Sequence, residues 1–508
     1  RYKGINLIME KTIRTLINEN KDADIAITSD NSKSITFLDL KQHIHSISGQ
    51  LSSKGLSNQD RAAIVLPNGP EMATAFLAIS SYMSAAPLNS NYKLSEFEFY
   101  LDDLKPKIVI VEKGSSNPVV EAAKKLNIEV CEIKKIDDAP NGIFNLYNKT
   151  SHFNFSSEED EALVLHTSGT TSRPKVVPLT NKNVFTSAMN ISETLKLTSN
   201  DHCFNIMPLF HIHGLIAILS ASMSKGASIY ASNGFNALKF LDKAKSEKIT
   251  WYSGVPTMHQ AILMRAERNS NFAEDLNLRF IRSSSASLPP AVFDKLKDVF
   301  KVPVIEAYGM TEATHQMTSN PLPPMVQKAG FVGKAAGPEV CIMDSEGNVL
   351  KNSLEGEVCI RGENVTKGYE NNDEANKSSF TNGWFRTGDQ GFFDKDGYLK
   401  ISGRLKEIIN RGGEKISPLE VDNILMEHEA IEQAITFGVK DKLLGEAIGA
   451  AVVLKSDVKC TEEDIKIYTK EKLADFKIPK YICFLDEIPK GATGKLQRIG
   501  LAKKLGLE

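Results

Sequence analysis

Short apolar runs alternate with helix-like stretches from about residue 60 to residue 310. The apolar runs have the length and the flanking turn residues of buried strands. Strands are predicted at residues 62–66, 108–111, 162–165, 249–252, 280–282 and 303–305, with helices at 70–79 and 290–299 between some of them. This alternation favours parallel α/β layers, in which chemistry sits on the loops that leave the strand ends.

The pattern changes after about residue 338. Strands are predicted at 340–343 and 356–361, followed by a hairpin at 392–401 around an Asp-Lys-Asp-Gly turn, which indicates a small β-rich subdomain. From residue 405 a smaller α+β unit follows, with predicted strands at 434–437 and 450–454 and helices at 418–426 and 461–473. The second of these helices opens on Thr461 and three acidic residues, which is a helix-start signal.

Composition limits the function classes. With 508 residues the chain is too long for one core, so at least two folded units are expected. A net charge of -2 gives no global field that favours nucleic acid or a membrane surface, so neither is an expected partner. The six cysteines are scattered without a CxxC pair, which indicates free thiols in a reducing compartment. The most apolar stretch, residues 215–223, is far shorter than a membrane span.

The segment HTSGTTSRPK at residues 166–175 follows a predicted buried strand directly. Glycine lets backbone N–H groups approach a ligand, hydroxyls donate hydrogen bonds and lysine adds a point charge, which together suit a polyphosphate. The alternative is a flexible Ser/Thr-rich surface loop. A Walker A motif is absent, since the lysine is followed by valine. The candidate phosphate-binding residues are Thr167, Ser168, Gly169, Thr170, Thr171 and Lys175.

This segment resembles the phosphate-binding signature of the adenylate-forming superfamily, which contains acyl- and aryl-CoA ligases, luciferases and peptide-synthetase adenylation domains. Five further family motifs follow in order, so the resemblance covers nearly the whole chain. They are MPLFH at 207–211, EAYGMTE at 306–312, WFRTGD at 384–389, GRLKE at 403–407 and PKGATGK at 489–495. The sequence departs from the usual pattern at Ser172, Arg173 and Val176. The resemblance implies ATP, Mg²⁺ and coenzyme A as cofactors, and an acyl-adenylate intermediate.

The resemblance also implies roles for single residues. Tyr308 offers a flat face for adenine, and Asp389, supported by Arg404, accepts from the ribose hydroxyls. Glu312 holds Mg²⁺ against the phosphates, and Thr311 joins Glu312, Lys175 and Lys495 among the catalytic residues. The remaining predicted nucleotide contacts are Ser285, Ala286, Ser287, Glu306, Ala307, Gly309 and Met310. A structural salt bridge for Glu312 and a plain turn role for Asp389 are the alternatives.

Two half-reactions at one site need two sets of groups. The resemblance implies an N-terminal AMP-binding domain at residues 1–402, a hinge at 403–406 that includes Lys406, and a mobile C-terminal domain at 407–508. Lys495 is expected to neutralise the α-phosphate and the carboxylate during adenylation, although a Gly-flanked lysine near a C-terminus is ordinarily solvated. For thioester formation, rotation of the small domain is expected to present the loop around Gly412 and Gly413 to the pantetheine arm.

The polarity of the predicted acyl pocket indicates which class of acid it accepts. A fatty or aromatic acid needs an apolar tunnel, whereas His211, His213, Ser287 and His315 suit a small, doubly charged acid. We expect His213 and His315 to hold the distal carboxylate; a hydrogen-bonded core position is the alternative for each histidine. The amino-acid sequences of these segments resemble those of the oxalyl-CoA synthetases of plants and fungi, and this resemblance implies oxalate as the substrate.

Other functions stay open at this stage. A ligase for another small or aryl acid has the same chemistry with a different pocket, and a nucleotide-binding protein without catalysis is a more distant alternative. A luciferase is disfavoured by the polar pocket, and a peptide synthetase by the lack of a following carrier domain. We expect a monomer or weak homodimer in the cytoplasm. The peroxisome is the alternative, because some relatives carry a C-terminal peroxisomal tripeptide whereas this chain ends in Gly-Leu-Glu.

Overall fold

A computed structural model describes residues 9–167, 173–268 and 275–508. The chain forms layered α/β sheets, then a small β-rich subdomain, then a small α+β unit, so the predicted fold class is confirmed. Four of the predicted phosphate-loop residues, together with Ser172, lie outside the described residues: Ser168, Gly169, Thr170 and Thr171.

The helices begin at residues that favour helix starts. Proline is the first residue of five of them, where its missing N–H costs no hydrogen bond. None of the helices in the described ranges has the length and apolar content that crossing a bilayer requires. The α-helices are α1 (Ile13–Asn18), α2 (Phe37–Ser53), α3 (Pro70–Ser80), α4 (Leu94–Leu104), α5 (Pro118–Lys125), α6 (Asn181–Thr194), α7 (Ala221–Met223), α8 (Ala237–Ser246), α9 (Pro256–Arg268), α10 (Pro290–Phe300), α11 (Asp373–Ser379), α12 (Pro418–Met426), α13 (Glu462–Lys472) and α14 (Leu501–Lys504). A π-helical segment spans His213–Ser220, and 3-10 turns span Thr311–Ala313 and Asp475–Lys477.

The strands of the described residues are mostly short. They are β1 (Ile25–Thr28), β2 (Ile35–Thr36), β3 (Arg61–Ile64), β4 (Ser84–Pro87), β5 (Ile108–Val111), β6 (Glu129–Glu132), β7 (Lys134–Lys135), β8 (Phe144–Asn145), β9 (Glu161–His166), β10 (Val176–Thr180), β11 (His202–Asn205), β12 (Ser228–Ala231), β13 (Trp251–Gly254), β14 (Phe280–Ser283), β15 (Val304–Met310), β16 (His315–Ser319), β17 (Lys334–Ala335), β18 (Glu339–Met343), β19 (Gly356–Arg361), β20 (Phe380–Thr381), β21 (Trp384–Phe393), β22 (Leu399–Arg404), β23 (Ile409–Arg411), β24 (Glu414–Ile416), β25 (Ile431–Asp441), β26 (Gly445–Leu454) and β27 (Tyr481–Phe484).

Two large sheets form the first part of the chain. The six-stranded sheet has the order β10-β9-β4-β3-β5-β6, and the nine-stranded sheet has the order β17-β16-β15-β14-β13-β11-β12-β1-β2. The central strands of both sheets are parallel, and antiparallel strands lie at their edges. Strands β13, β14 and β15 therefore end at the same edge of the nine-stranded sheet, where α/β proteins carry their ligand sites.

The predicted strands and helices agree with the structure within a few residues. The strand predicted at 249–252 begins later, at Trp251, because the backbone N–H of Ile249 instead donates to the carbonyl of Ala244 at the end of α8. The strand predicted at 303–305 runs on to Met310, because its second half pairs with β16. The predicted helix at 461–473 has the capping box between Thr461 and Asp464 that its sequence indicates.

The two smaller units each contain a five-stranded sheet. The first has the order β18-β19-β21-β20, with β22 also paired to β21. The second has the order β24-β23-β26-β25, with β27 also paired to β26. Two hydrophobic clusters of the second unit are built only from residues at or beyond Ile409. The large sheets share one extended cluster that reaches from Ile13 to Phe385.

Candidate active site

A cavity of about 880 Å³ opens where β13, β14 and β15 end, and the C-terminal unit covers it. Its volume lies within the range of small-molecule sites. Thirteen of the residues predicted from the sequence line this cavity: Thr167, His211, Ser285, Ala286, Ser287, Glu306, Ala307, Tyr308, Gly309, Thr311, Asp389, Arg404 and Lys495.

The ends of the predicted phosphate loop are tied together by backbone contacts. The Thr167 N–H donates to the Lys175 carbonyl at 2.9 Å, and the Lys175 N–H donates to Thr167 Oγ1 at 3.0 Å. The ammonium of Lys175 lies 5.0 Å from the ring centre of Tyr369. His166, at the end of β9, contacts Asp103 at 2.8 Å, and so does Arg173. The loop therefore joins two antiparallel strands, β9 and β10, with both of its ends anchored.

Glu312 lies on the 3-10 turn that follows β15. It is 6% exposed, and the Tyr369 hydroxyl donates to its Oε1 at 2.8 Å. Burial raises the pKa of Glu312, while the Tyr369 hydrogen bond and the charge of Lys175 oppose that shift. Within the described residues, no three His, Cys, Asp or Glu side chains come together as a metal site. A single carboxylate suits Mg²⁺ only when other oxygens, such as substrate phosphates, complete its shell.

Tyr308, Asp389 and Arg404 form one connected group. The Tyr308 hydroxyl donates to Asp389 Oδ2, and Arg404 Nε donates to Asp389 Oδ1 at 3.2 Å. Burial raises the pKa of Asp389, while the charge of Arg404 opposes the shift. Asp389 and Arg404 sit opposite each other on β21 and β22, so the register of this hairpin sets their contact.

Lys495 enters the cavity from the C-terminal unit. Burial lowers its pKa to about 8, with the charge of Arg404 acting in the same direction and the carboxylates of Asp389 and Glu312 opposing it. Next to it, Gly494 has φ +82°, and an added Cβ would lie 3.2 Å from Val255. The lysine is therefore not a solvated surface residue in this arrangement.

Helix α9 holds the C-terminal unit in this position through two hydrogen bonds. The Thr257 hydroxyl donates to the Gly494 carbonyl at 2.8 Å, and Gln260 Nε2 donates to the Glu432 carbonyl at 2.9 Å. Both acceptors are main-chain oxygens. We name these two contacts the α9 latch.

Several residues that sequence reasoning missed support these groups. Arg498 donates to Glu407 at 3.1 Å and to Asp422 at 2.8 Å, which ties the segment after Lys495 to the start of the C-terminal unit. Tyr369, which contacts Glu312 and Lys175, lies outside every motif. The position of Arg498, three residues after Lys495, could have indicated it, whereas Tyr369 gives no such signal.

The structure explains two residues of the EAYG segment, Glu306 and Gly309. Glu306 is 1% exposed, its Oε1 accepts from the Leu288 N–H at 2.9 Å, and burial raises its pKa to about 8. A Cβ on Gly309 would lie 2.0 Å from the carbonyl oxygen of His315, so only glycine fits where β15 pairs with β16. Met310 packs against the hydrophobic core and is absent from the cavity wall.

The three predicted histidines lie at different depths from the cavity. His211 lines the cavity, and burial lowers its pKa to about 3, with the charge of Lys495 acting in the same direction. His213 and His315 are 0% and 1% exposed and stack on each other with ring centres 4.9 Å apart. His213 contacts Ser285, which itself lines the cavity, at 3.0 Å. The two residues expected to hold the distal carboxylate thus lie behind the wall.

Arg282 is a buried residue of this layer that the sequence interpretation gave no role. It is 0% exposed and donates to Ser253 at 3.1 Å and to His315 and Gln316 at 3.2 Å. No Asp or Glu among the described residues forms an ion pair with it. A charged residue inside the otherwise apolar strand β14 is the signal that could have identified it.

Three predicted residues lie away from the cavity. Lys406 is exposed in the turn after β22, and Gly412 and Gly413 are exposed in the turn between β23 and β24. The Gly412 N–H donates to the carbonyl of Leu444 at 2.8 Å. Their predicted roles in thioester formation therefore require another position of the C-terminal unit.

The sequence was compared with known families and proteins. Residues 15–370 match the family described as AMP-binding enzyme, and residues 420–495 match the AMP-binding enzyme C-terminal domain. The chain is 47% identical to an oxalate–CoA ligase of Arabidopsis thaliana, with 88% of this chain and 89% of the relative covered. It is 44% identical to an oxalate–CoA ligase of Saccharomyces cerevisiae, with 88% and 87% covered.

Solved structures agree with the fold. ATP-bound MatB from Rhodopseudomonas palustris has a TM-score of 0.89 at 26% identity, with 98% of this chain and 99% of that chain covered. Apo MatB from the same organism has a TM-score of 0.78 at the same identity and coverage. The TM-score is therefore higher against the ATP-bound structure than against the apo structure of the same protein.

Proposed function

The chain belongs to the AMP-binding enzyme family, and we propose that it is an ATP-dependent ligase that forms oxalyl-CoA from oxalate and coenzyme A. The reaction proceeds through oxalyl-AMP and releases pyrophosphate and then AMP. A non-catalytic nucleotide-binding role is disfavoured, because two predicted catalytic residues, Lys495 and Thr311, line one cavity with the predicted nucleotide contacts. The other two, Glu312 and Lys175, both contact Tyr369.

The observation that carries the proposal is the position of Lys495. The lysine belongs to the C-terminal unit, yet it lies in the same cavity as Tyr308, Asp389 and Arg404. The first step of the proposed reaction needs a cation and the second does not. A lysine on a separate unit can be supplied for the first step and withdrawn for the second.

In the proposed first step, a carboxylate oxygen of the acid attacks the α-phosphorus of ATP, and pyrophosphate leaves. Negative charge brought together at this point is stabilised by the Lys495 ammonium. Asp389 and Arg404 hold the ribose, and Tyr308 and the loop segment of Ala286 and Ser287 flank the adenine. Preorganised charge of this kind is commonly the largest contribution to catalysis.

Mg²⁺ is compatible with the residues present. The Glu312 carboxylate would hold the ion, with ATP phosphate oxygens completing its coordination. The ion supplies charge neutralisation of the phosphates. Tyr369 fixes the orientation of the Glu312 carboxylate through its hydroxyl.

In the proposed second step, the thiol of coenzyme A, as its thiolate, attacks the acyl carbonyl and AMP leaves. Lys495 is no longer required there, so the C-terminal unit turns about the segment containing Lys406. The turn that carries Gly412 and Gly413 then faces the cavity, where glycines leave room for a pantetheine arm. The exposed position of this turn is compatible with such a movement.

The choice of oxalate rests on two supports. The two relatives described above carry that activity in their names. The inner layer of the site is polar, with His211, His213, Ser285 and Arg282 near the region that receives the acid. An apolar acid would offer no polar partner to the two of these residues that line the cavity, His211 and Ser285, which is costly in a buried site.

The test is acid-dependent pyrophosphate release with ATP, Mg²⁺ and coenzyme A. Oxalate, malonate, acetate, 4-coumarate and octanoate are compared, and oxalyl-CoA is identified by mass spectrometry. We expect oxalate to give the highest kcat/KM. If 4-coumarate or octanoate gives pyrophosphate release and oxalate gives none, the substrate is another acid and the choice of oxalate is wrong. An inactive protein with every acid would refute the ligase assignment.

A further inference from the structure

The buried guanidinium of Arg282 lacks a carboxylate partner within the described residues. An uncompensated buried charge is destabilising, so such a residue calls for an explanation. Burial lowers the pKa of Arg282 only to about 9, so it stays charged at neutral pH. Its contacts lead from the interior to the cavity through three side chains.

This series of contacts is short and continuous. Arg282 Nη1 donates to Ser253 Oγ at 3.1 Å, Ser253 Oγ contacts His213 Nε2 at 2.6 Å, and His213 Nδ1 contacts Ser285 Oγ at 3.0 Å. Ser285 is the last member and lines the cavity. We name these four residues the Arg282 relay.

The chemistry of arginine sets the direction of the relay. A guanidinium donates hydrogen bonds and never accepts them, so Ser253 accepts from Arg282 and has its own proton left to give. Within this series, the acceptor in contact with the Ser253 hydroxyl is His213 Nε2. Burial lowers the pKa of His213 well below its usual value, so the ring is neutral and has one N–H, which is then on Nδ1.

The final donor of the relay faces the ligand. Since His213 Nδ1–H donates to Ser285 Oγ, the Ser285 hydroxyl proton is left for an acceptor in the cavity. Ser285 also has φ +72°, a conformation that is rare outside glycine and that is found where a side chain must be aimed. Ser285, His211 and Lys495 all line the same cavity, so this donor faces the space in which the acid is expected to react.

We propose that Arg282 is a positioning residue that fixes the Ser285 hydroxyl as a donor to a carboxylate oxygen of the acid substrate. The inference rests on the proposed ligase function and deepens it. It assigns to Ser285 a contact with the acid rather than with adenine. A small acid with two carboxylates offers an oxygen here that acetate lacks, so the relay favours the diacid.

The first experiment is a double-mutant cycle on adenylation, with Ser285→Ala, Arg282→Met and the double variant. Each single change is expected to lower kcat/KM for the acid about 10- to 100-fold, the effect of losing a hydrogen bond to a charged group. The double variant is expected to have a kcat/KM no lower than that of the less active single variant, because both changes remove the same donor. The KM for ATP is expected to stay within about twofold.

Two further variants separate positioning from folding. Arg282→Lys keeps a cation that only donates, so it is expected to recover at least part of the activity lost in Arg282→Met. Ser222→Ala is the matched control, since Ser222 is a buried serine whose hydroxyl has no partner among the described residues. It is expected to keep kcat/KM within about twofold, and the melting temperature of every variant is measured.

A spectroscopic readout tests the direction of the relay independently of activity. In ¹⁵N-histidine-labelled protein, His213 is expected as the Nδ1–H tautomer, with its signal assigned by its loss in His213→Asn. The Nε2–H tautomer in the wild type would overturn the inference. So would additive effects in the cycle, or a rise in the KM for ATP in place of the acid. If oxalate is not a substrate, the cycle is run with the acid that is activated, so the proposed function and this inference fail separately.

Discussion

We expect replacement of Lys495 to separate the two half-reactions. The lysine lies in the cavity in the arrangement of the structure, with Arg404, Asp389 and Glu312 acting on its charge. Lys495→Ala removes a cation that is needed only where the carboxylate meets the α-phosphate. We therefore expect adenylation to fall about 100- to 1,000-fold, the loss typical of one preorganised charge donor.

The pKa of Lys495 gives the expected pH dependence. Because burial lowers that pKa to about 8, roughly nine-tenths of the free enzyme has the ammonium at pH 7 and roughly one-tenth at pH 9. The kcat/KM for adenylation is expected to decline above about pH 8. In Lys495→Arg, whose side chain stays protonated, this decline should disappear even if the rate is lower.

The assay follows each half-reaction alone. Adenylation is measured as acid-dependent exchange of labelled pyrophosphate into ATP, and thioester formation is measured from synthetic acyl-AMP and coenzyme A. In Lys495→Ala the second rate is expected to stay within about threefold of the wild type. Equal losses in both half-reactions, or a wild-type profile that stays flat through pH 10, would refute the assigned role of the lysine.

Three further changes test other parts of the proposal. Lys406→Pro fixes φ in the turn between the units, so acyl-AMP formation should persist while thioester formation stops; normal overall turnover would count against a pivot there. Glu312→Gln keeps the shape that accepts from Tyr369 but removes the charge, so the Mg²⁺ concentration for half-maximal adenylation should rise about tenfold or more in a magnesium titration. Gln260→Ala removes one α9 latch contact, so adenylation should fall up to about tenfold while thioester formation from acyl-AMP does not fall; loss of both rates would contradict a latch.

Much of the fold could be predicted because its signals are local. Apolar runs predicted three strands of each large sheet, and the capping residues of α13 predicted its first turn. The end of β15 could not be predicted in the same way. Its extension to Met310 depends on pairing with β16, which is a tertiary contact.

In the candidate site, too, features with local sequence signals could be predicted and features that depend on tertiary contacts could not. Asp389 and Tyr308 are in recognisable motifs and meet in the cavity. His213 and His315 were expected at the acid but lie behind Ser285, because their depth depends on how β14, β15 and β16 pack. Arg282 was visible in the sequence as a charge inside an apolar strand. Its relation to Ser285 needed coordinates, since the connecting residues come from three separate segments.

The α9 latch has a consequence for how the sequence can change over evolution. Its acceptors are the main-chain oxygens of residues 432 and 494, which every amino acid possesses. Substitution of the Glu432 side chain therefore leaves the docking hydrogen bond in place, whereas position 494 is restricted to glycine by its neighbour Val255 and by its own φ. A lineage could thus vary the face of the smaller unit around residue 432 while keeping its docking geometry.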